Sequence, residues 1–298
     1  MEIDRTLEDN GGVSMKGMST DEYRVQWTVE SPKAAVVLIH GQAEHCGRYE
    51  HVADALNDAG YNVFAGDLPG HGRSGGLRGH IDRFGDYVDR VESWVADARA
   101  LQPNAPLFLL GHSVGGLIAA RFLQTSPLAR EAAGAALTSP AFRLRFPIPA
   151  WKEALGRRLD GILPKLRMPS GLDKQRVTRS EEALLSAASD PLMVYVASVR
   201  FYNELLRAQQ TALDEAGLIA HPMLVLHGGA DEIIDPSVTL EFGAKLASID
   251  KDVRLLPGLH HEVMNEPERD EVIRDIIAWL DRRAEAAGSD AKPASSIL

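Results

Sequence analysis

The run Leu107-Phe108-Leu109-Leu110-Gly111-His112-Ser113-Val114-Gly115-Gly116-Leu117-Ile118 constrains this chain more than any other. In it a short apolar segment passes through Gly-x-Ser-x-Gly directly into a helical pattern. A serine on so tight a strand-to-helix turn has its hydroxyl pushed out of the sheet. The flanking glycines remove side chains that would clash there. The next N–H, that of Val114, stands at a helix N-terminus, where an unpaired donor and the helix dipole both favour negative charge. One turn thus offers a nucleophile, Ser113, and half of an oxyanion hole.

Such a turn needs an α/β sheet around it, and the apolar periodicity predicts one. Strands are expected at 35–39, 61–65, 108–110, 133–138, 223–226 and 253–256. Helices are expected after Tyr49, over 84–101, over 114–124, over 236–247 and over 270–284. Alternating strands and helices imply right-handed crossovers and a mostly parallel sheet covered on both faces. From 141 to 213 the alternation stops. The segment shows no clear strand, only helical pieces broken by Pro147, Pro149, Pro164, Pro169 and Gly171. The expected organisation is a loosely ordered N-terminus (1–20), an α/β core (21–140 and 214–286), a helical cap inserted at 141–213, and a disordered Ser/Ala/Pro-rich tail (287–298).

A serine hydroxyl needs a base, and the base an orienting acid. In open α/β sheets such groups gather at the carboxyl ends of the strands. His227-Gly228-Gly229-Ala230-Asp231-Glu232 follows one predicted strand and Pro257-Gly258-Leu259-His260-His261-Glu262 follows the next, so the order is Ser, Asp, His. Asp231 is the preferred acid over Glu232 and Asp235, which read as solvated loop charges. Physics alone barely separates His260 from His261; His261 is preferred. At the end of the first core strand, His40-Gly41-Gln42 brings backbone close, so the Gln42 N–H can join that of Val114 at an oxyanion. The turn Asp67-Leu68-Pro69-Gly70-His71-Gly72-Arg73-Ser74 reads as structural. Cys46 lies on the loop that should border the pocket.

A net charge of −10 argues against nucleic acid as a partner. The single cysteine excludes an internal disulfide and suits a reducing compartment. The polar start and the lack of any membrane-length apolar run make a cytoplasmic protein the expectation. Within 141–179 the balance reverses, with ten basic residues against three acidic ones, interleaved with Phe142, Phe146, Trp151, Leu155, Ile162 and Leu163. That pattern suits peripheral contact with an anionic lipid surface, or else a lid packed on the acidic body.

Several segments together resemble the monoacylglycerol lipase and lysophospholipase group of α/β-hydrolases. They are His40-Gly41-Gln42-Ala43-Glu44-His45-Cys46-Gly47-Arg48-Tyr49, the Asp67–Ser74 turn, the Ser113 elbow, Asp190-Pro191-Leu192 and His260-His261-Glu262-Val263-Met264-Asn265-Glu266-Pro267. The resemblance implies Ser113, Asp231 and His261 as a triad and Gln42 and Val114 as the oxyanion hole. It also places Glu44 and Arg48 near a glycerol head group. It implies a serine ester hydrolase acting on monoacylglycerol, with no metal or cofactor. Lysophospholipase, general carboxylesterase and an S33-type peptidase on the same core are the alternatives. The chain departs from the group's pattern at Val114, Gln42 and Met264, and where Ala187-Ala188-Ser189 replaces a tyrosine before Asp190.

Overall fold

The structure, a computed structural model, describes residues 22–146, 149–171 and 174–290. The segment 1–20 and residues 291–298 of the predicted tail lie outside them. The elements run β1 (Arg24–Trp27), β2 (Ala34–Ile39), α1 (Glu50–Asp58), β3 (Tyr61–Gly66), α2 (Gly85–Leu101), β4 (Leu107–His112), α3 (Val114–Thr125) and β5 (Gly134–Thr138). After these come α4 (Ala150–Asp160), β6 (Arg167–Pro169), α5 (Glu181–Ser189), β7 (Val196–Ser198) and α6 (Val199–Asp214). The chain continues with β8 (Met223–Gly228), α7 (Pro236–Lys245), β9 (Lys251–Leu256) and α8 (Arg269–Asp290). Seven strands form one sheet in the order β1-β3-β2-β4-β5-β8-β9, parallel except for β1. This is the α/β-hydrolase arrangement.

Alternation along β2 explains both layers. Ala35, Val37 and Ile39 join a core with Tyr87 and Trp94 of α2, Leu117 and Phe122 of α3, and Phe242 of α7. Ala34, Val36 and Leu38 face the other way, onto Val52 and Leu56 of α1 and Ile276 and Trp279 of α8. A strand buried on both faces reads as a continuous apolar run, which is why these strands were legible. The sheet order reverses between β2 and β4: β3 lies on one side of β2, while β4 and its successors extend on the other. A crevice opens at the carboxyl ends of strands at such a switch point, and Gln42 and Ser113 flank it.

The structure corrects three sequence expectations. β1 precedes the first predicted strand; its polar alternation, with only Trp27 fully buried, suits an antiparallel edge rather than a buried run. A short antiparallel pair, β6 with β7, lies within 141–213. It is three residues per strand, ends in Pro169 and is exposed along β6, so no apolar run marks it. α8 continues to Asp290, so the first residues of the predicted tail are helical. The last helix of the inserted segment, α6, is amphipathic, and its Phe201, Leu205, Ala208 and Ala212 join the same core as α3. Ser198 caps it by accepting the Phe201 N–H at 3.0 Å.

Where the insertion leaves β5, Phe142 is buried and stacks on Phe242 with ring centroids 4.1 Å apart. Phe142→Ala should lower the unfolding free energy by about 3–5 kcal/mol, read as a lower midpoint in urea denaturation with little change in slope.

Candidate active site

The β4–α3 turn builds the site's centre. His112 pairs in register with Thr138, and the next N–H, that of Ser113, donates to Thr138 O at 2.9 Å. Ser113 has φ +53°, the left-handed region that costs a residue with a Cβ about 1–3 kcal/mol. α3 starts at once, and its first turn passes over the end of β2. A Cβ on Gly115 would lie 2.1 Å from the carbonyl oxygen of Ile39 and 2.6 Å from that of His40. Only glycine permits that approach.

His261 Nε2 lies 2.9 Å from Ser113 Oγ, and His261 Nδ1 lies 2.6 Å from Asp231 Oδ2. A carboxylate only accepts, so Nδ1 carries the proton and Nε2 accepts the serine hydroxyl's. Asp231 Oδ1 takes the backbone N–H groups of Ile233 (2.7 Å) and Ile234 (3.0 Å). Although Asp231 is buried, His261 and His227 hold its pKa far below the usual carboxylate range. Burial disfavours the imidazolium of His261, but the carboxylates of Asp231, Glu262 and Glu44 outweigh it and raise its pKa above the ordinary value. A Cβ on Gly228 would meet the carbonyl oxygens of His260 and Leu259 at 2.0 and 2.6 Å. The Asp231 loop and the His261 loop can therefore touch only because residue 228 is glycine.

The other candidates have other duties. Glu232 pairs with Arg176 at 2.6 Å, and Asp235 caps α7 by accepting the Ser237 N–H at 3.0 Å. The His260 backbone N–H donates to Glu266 at 3.1 Å. His112 packs 5.0 Å from the His261 ring and bonds Thr138 Oγ1 through Nδ1. Burial and the neighbouring His261 push its pKa down to about 4, so it stays neutral. The Asp67 turn is structural in its geometry: the carboxylate accepts the N–H groups of Cys46 and Arg73. Cys46 is fully buried among core residues instead of facing the pocket, and burial pushes its thiol pKa well up.

Gln42 follows β2 and lines the crevice beside Ser113. Its loop is braced by Glu44, whose Oε1 accepts the Gly41 N–H at 2.6 Å and the Tyr49 hydroxyl at 2.7 Å. Glu44 Oε2 accepts from Arg48 at 2.8 Å, and Arg48 also grips Glu262 with two hydrogen bonds, at 3.1 and 2.8 Å. Burial opposes the charge on Glu44, yet Arg48 and the nearby histidines hold its pKa down to about 2. Glu44 and Arg48 do line the pocket, but their hydrogen-bonding capacity goes largely to one another, to Glu262 and to the loop. Glu262 was not singled out from sequence; only its place beside His261 hinted at it.

These groups form one end of a cavity of about 510 Å³. Its opposite wall comes from the inserted segment, chiefly Val177, Leu184, Leu185, Met193 and Tyr195. That wall is tied to the His261 loop and to the Gln42 loop. The Glu262 N–H donates to Val177 O at 2.7 Å and the Thr178 hydroxyl to Asn265 O at 3.0 Å. On the other side, the Val194 N–H donates to Ala43 O at 2.8 Å, and His45 Nε2 lies 2.7 Å from Asp190. Among the described residues no cluster of side chains suits a metal ion.

Comparison with known proteins agrees with this geometry. Residues 30–268 match the family described as serine aminopeptidase, S33. The chain is 35% identical to phospholipase YtpA of Bacillus subtilis over 86% of its own length and 98% of that protein. It is 33% identical to the monoacylglycerol lipase of Mycolicibacterium smegmatis over 85% of its length and 90% of that enzyme. Among solved structures, the monoacylglycerol lipase of Paleococcus ferrophilus superposes with a TM-score of 0.81 at 32% identity, covering 88% of this chain and 99% of that one. With a serine elbow, an α/β-hydrolase sheet and relatives of this kind, the chain is a serine hydrolase and belongs to the serine aminopeptidase S33 family.

Proposed function

We propose that this enzyme hydrolyses monoacylglycerols through an acyl-enzyme, with Ser113 as nucleophile, His261 as base and Asp231 as orienting acid. The observation that carries this reading is the Ser113–His261–Asp231 hydrogen-bonded chain, opening into a cavity with an apolar far wall. His261 takes the proton of Ser113 as its oxygen attacks the ester carbonyl. The N–H groups of Gln42 and Val114 receive the developing oxyanion. The imidazolium then protonates the leaving alcohol, and water attacks the acyl-enzyme with His261 again as base. No metal or cofactor enters these steps. Segment 141–213 acts as the cap that walls the acyl site.

The polar end favours a neutral alcohol. Glu44 and Glu262 set two negative charges against the single positive charge of Arg48, so a phosphate there meets net repulsion in a poorly solvated site. Glycerol, being uncharged, does not. Relatives named phospholipase and monoacylglycerol lipase match at similar identity, so the charge of the polar end carries this choice.

The cap suits a lipid surface. Phe146, Trp151, Leu155, Ile162, Leu163 and Leu166 are all exposed. Lys152, Arg158, Lys165 and Arg167 lie among them. Other basic residues of the segment pair with the body instead: Arg143 with Glu241, Arg176 with Glu232 and Arg179 with Glu266. Among the described residues no helix is long and apolar enough to cross a membrane, so the contact we propose is peripheral.

Ser113→Ala and His261→Ala should each cost about 10⁴-fold or more in kcat, and the double variant no more than either, because such residues act as a unit. His260→Ala should keep most of the activity. On a matched acyl chain, monoacylglycerol should exceed lysophosphatidylglycerol in kcat/KM by about tenfold or more; equal values would point to the phospholipase reading. The base must be neutral to act and its pKa is raised, so kcat/KM should fall on acidification with a midpoint above about 6.5. Anionic vesicles should bind the enzyme at low salt and release it as salt is added, and Trp151→Ala should cut activity on dispersed lipid more than on a soluble short-chain ester.

A further inference from the structure

We propose that His227 is a positioning residue that shares the Asp231 carboxylate with His261 and thereby sets how strongly the acid holds the base's charge. This rests on the triad reading above. His227 Nε2 lies 3.0 Å from Asp231 Oδ2, the same oxygen that receives His261 Nδ1 at 2.6 Å. His227 Nδ1 lies 2.6 Å from the hydroxyl oxygen of Thr239 on α7. His227, Asp231 and Thr239 are each at most 1% exposed, so no water competes for these groups.

The proton positions follow from the ends of the chain. Asp231 Oδ2 can only accept, so His227 presents Nε2–H to it. In the neutral ring Nδ1 then has a lone pair, which takes the Thr239 hydroxyl proton. Thr239, His227, Asp231, His261 and Ser113 thus form one continuous hydrogen-bonded line across α7, β8, two loops and the elbow. With Ile233 and Ile234 on Oδ1, all four acceptor positions of the carboxylate are filled. It cannot rotate without breaking several bonds, and it presents the His261-facing lone pair in a fixed direction.

Two donors on one oxygen divide its charge. A strongly hydrogen-bonded carboxylate stabilises a neighbouring imidazolium less than a singly bonded one. The other groups facing His261 are Glu44 from the loop after β2, His112 from β4 and Glu262 from its own loop. None of them touches Asp231 Oδ2, so only His227 acts through that atom.

Removing the Nε2–H donor should leave more of the Asp231 charge to His261 and make the imidazolium harder to deprotonate. His227→Leu should therefore move the acid limb of kcat/KM, on a soluble activated ester, upward by about half to one pH unit. KM should be nearly unchanged and the high-pH plateau largely recovered. His227→Gln, which keeps an amide donor near the Nε2 position, should return the limb toward its original place. Thr239→Val, of equal volume, should shift it in the same direction but less, and serves where His227→Leu does not fold. A lower plateau with an unmoved or lowered limb, in these variants, would overturn the role of His227. Measuring Ser113→Ala alongside separates the failures: turnover that survives it overturns the triad reading and this inference together.

Discussion

The contact of α3's first turn with the end of β2 is the constraint on which the site depends. Gly115 brings the helix against the carbonyls of Ile39 and His40, and that contact fixes where Val114 and Gln42 stand relative to Ser113. The left-handed backbone of Ser113 is the local consequence: the chain must leave β4 and start a helix with no intervening loop. The cost, about 1–3 kcal/mol, is offset by the surroundings. α3 is buried from Val114 to Ala120, and its packing between the sheet and α2 leaves the elbow no looser alternative.

Electrostatics around His261 rest on the same principle of full occupancy. Three buried carboxylates, those of Asp231, Glu44 and Glu262, surround His261 and raise its pKa. Each is held ready by donors of its own: backbone amides and His227 for Asp231, Gly41 and Tyr49 for Glu44, Arg48 and Asn265 for Glu262. Burying charges without such partners costs several kcal/mol per ion. The same donors that make the charges tolerable also orient them. Arg48 therefore contributes as the counter-ion that lets two acids share the polar end, more than as a free cation for substrate.

Much of this was legible in the sequence, and the limits have physical reasons. β2, β4 and β8 are apolar because both faces are covered, and the elbow carries its own glycines. With Ser113 on the elbow, the loops after β8 and β9 were where a partner carboxylate and histidine were expected, and Asp231 and His261 stand there within hydrogen-bond reach. β1 and the β6–β7 pair escaped because edge and surface strands need no continuous apolar run. The direction of the Cys46 thiol stayed open because spacing along a loop does not tell which way a side chain turns; the short 3₁₀ turn at Cys46–Tyr49 points it into the core. The pairing of Glu262 with Arg48 spans 214 residues. No local pattern encodes a contact of that range.

His227 shows the same limit at closest quarters. Its spacing of four from Asp231 is plain in the sequence, and a strand-ending histidine is unremarkable there. What the sequence lacks is the turn after Gly228 that folds Asp231 back beneath it, with the Asp231 N–H donating to Gly228 O at 3.1 Å. That turn exists because Gly228 lets the β9 loop press in from the other side. The inserted wall then closes over both loops, with Val177 and Thr178 bonded to the His261 loop and Val194 and Asp190 to the Gln42 loop. Each such bond is worth about 0.5–1.5 kcal/mol, and together they hold the insertion against the His261 and Gln42 loops. Between those anchors runs α5, which lines the cavity with Leu184 and Leu185, whereas α4 lies outside them and is held to α6 by the Asn203 amide on Gly156 O at 3.1 Å.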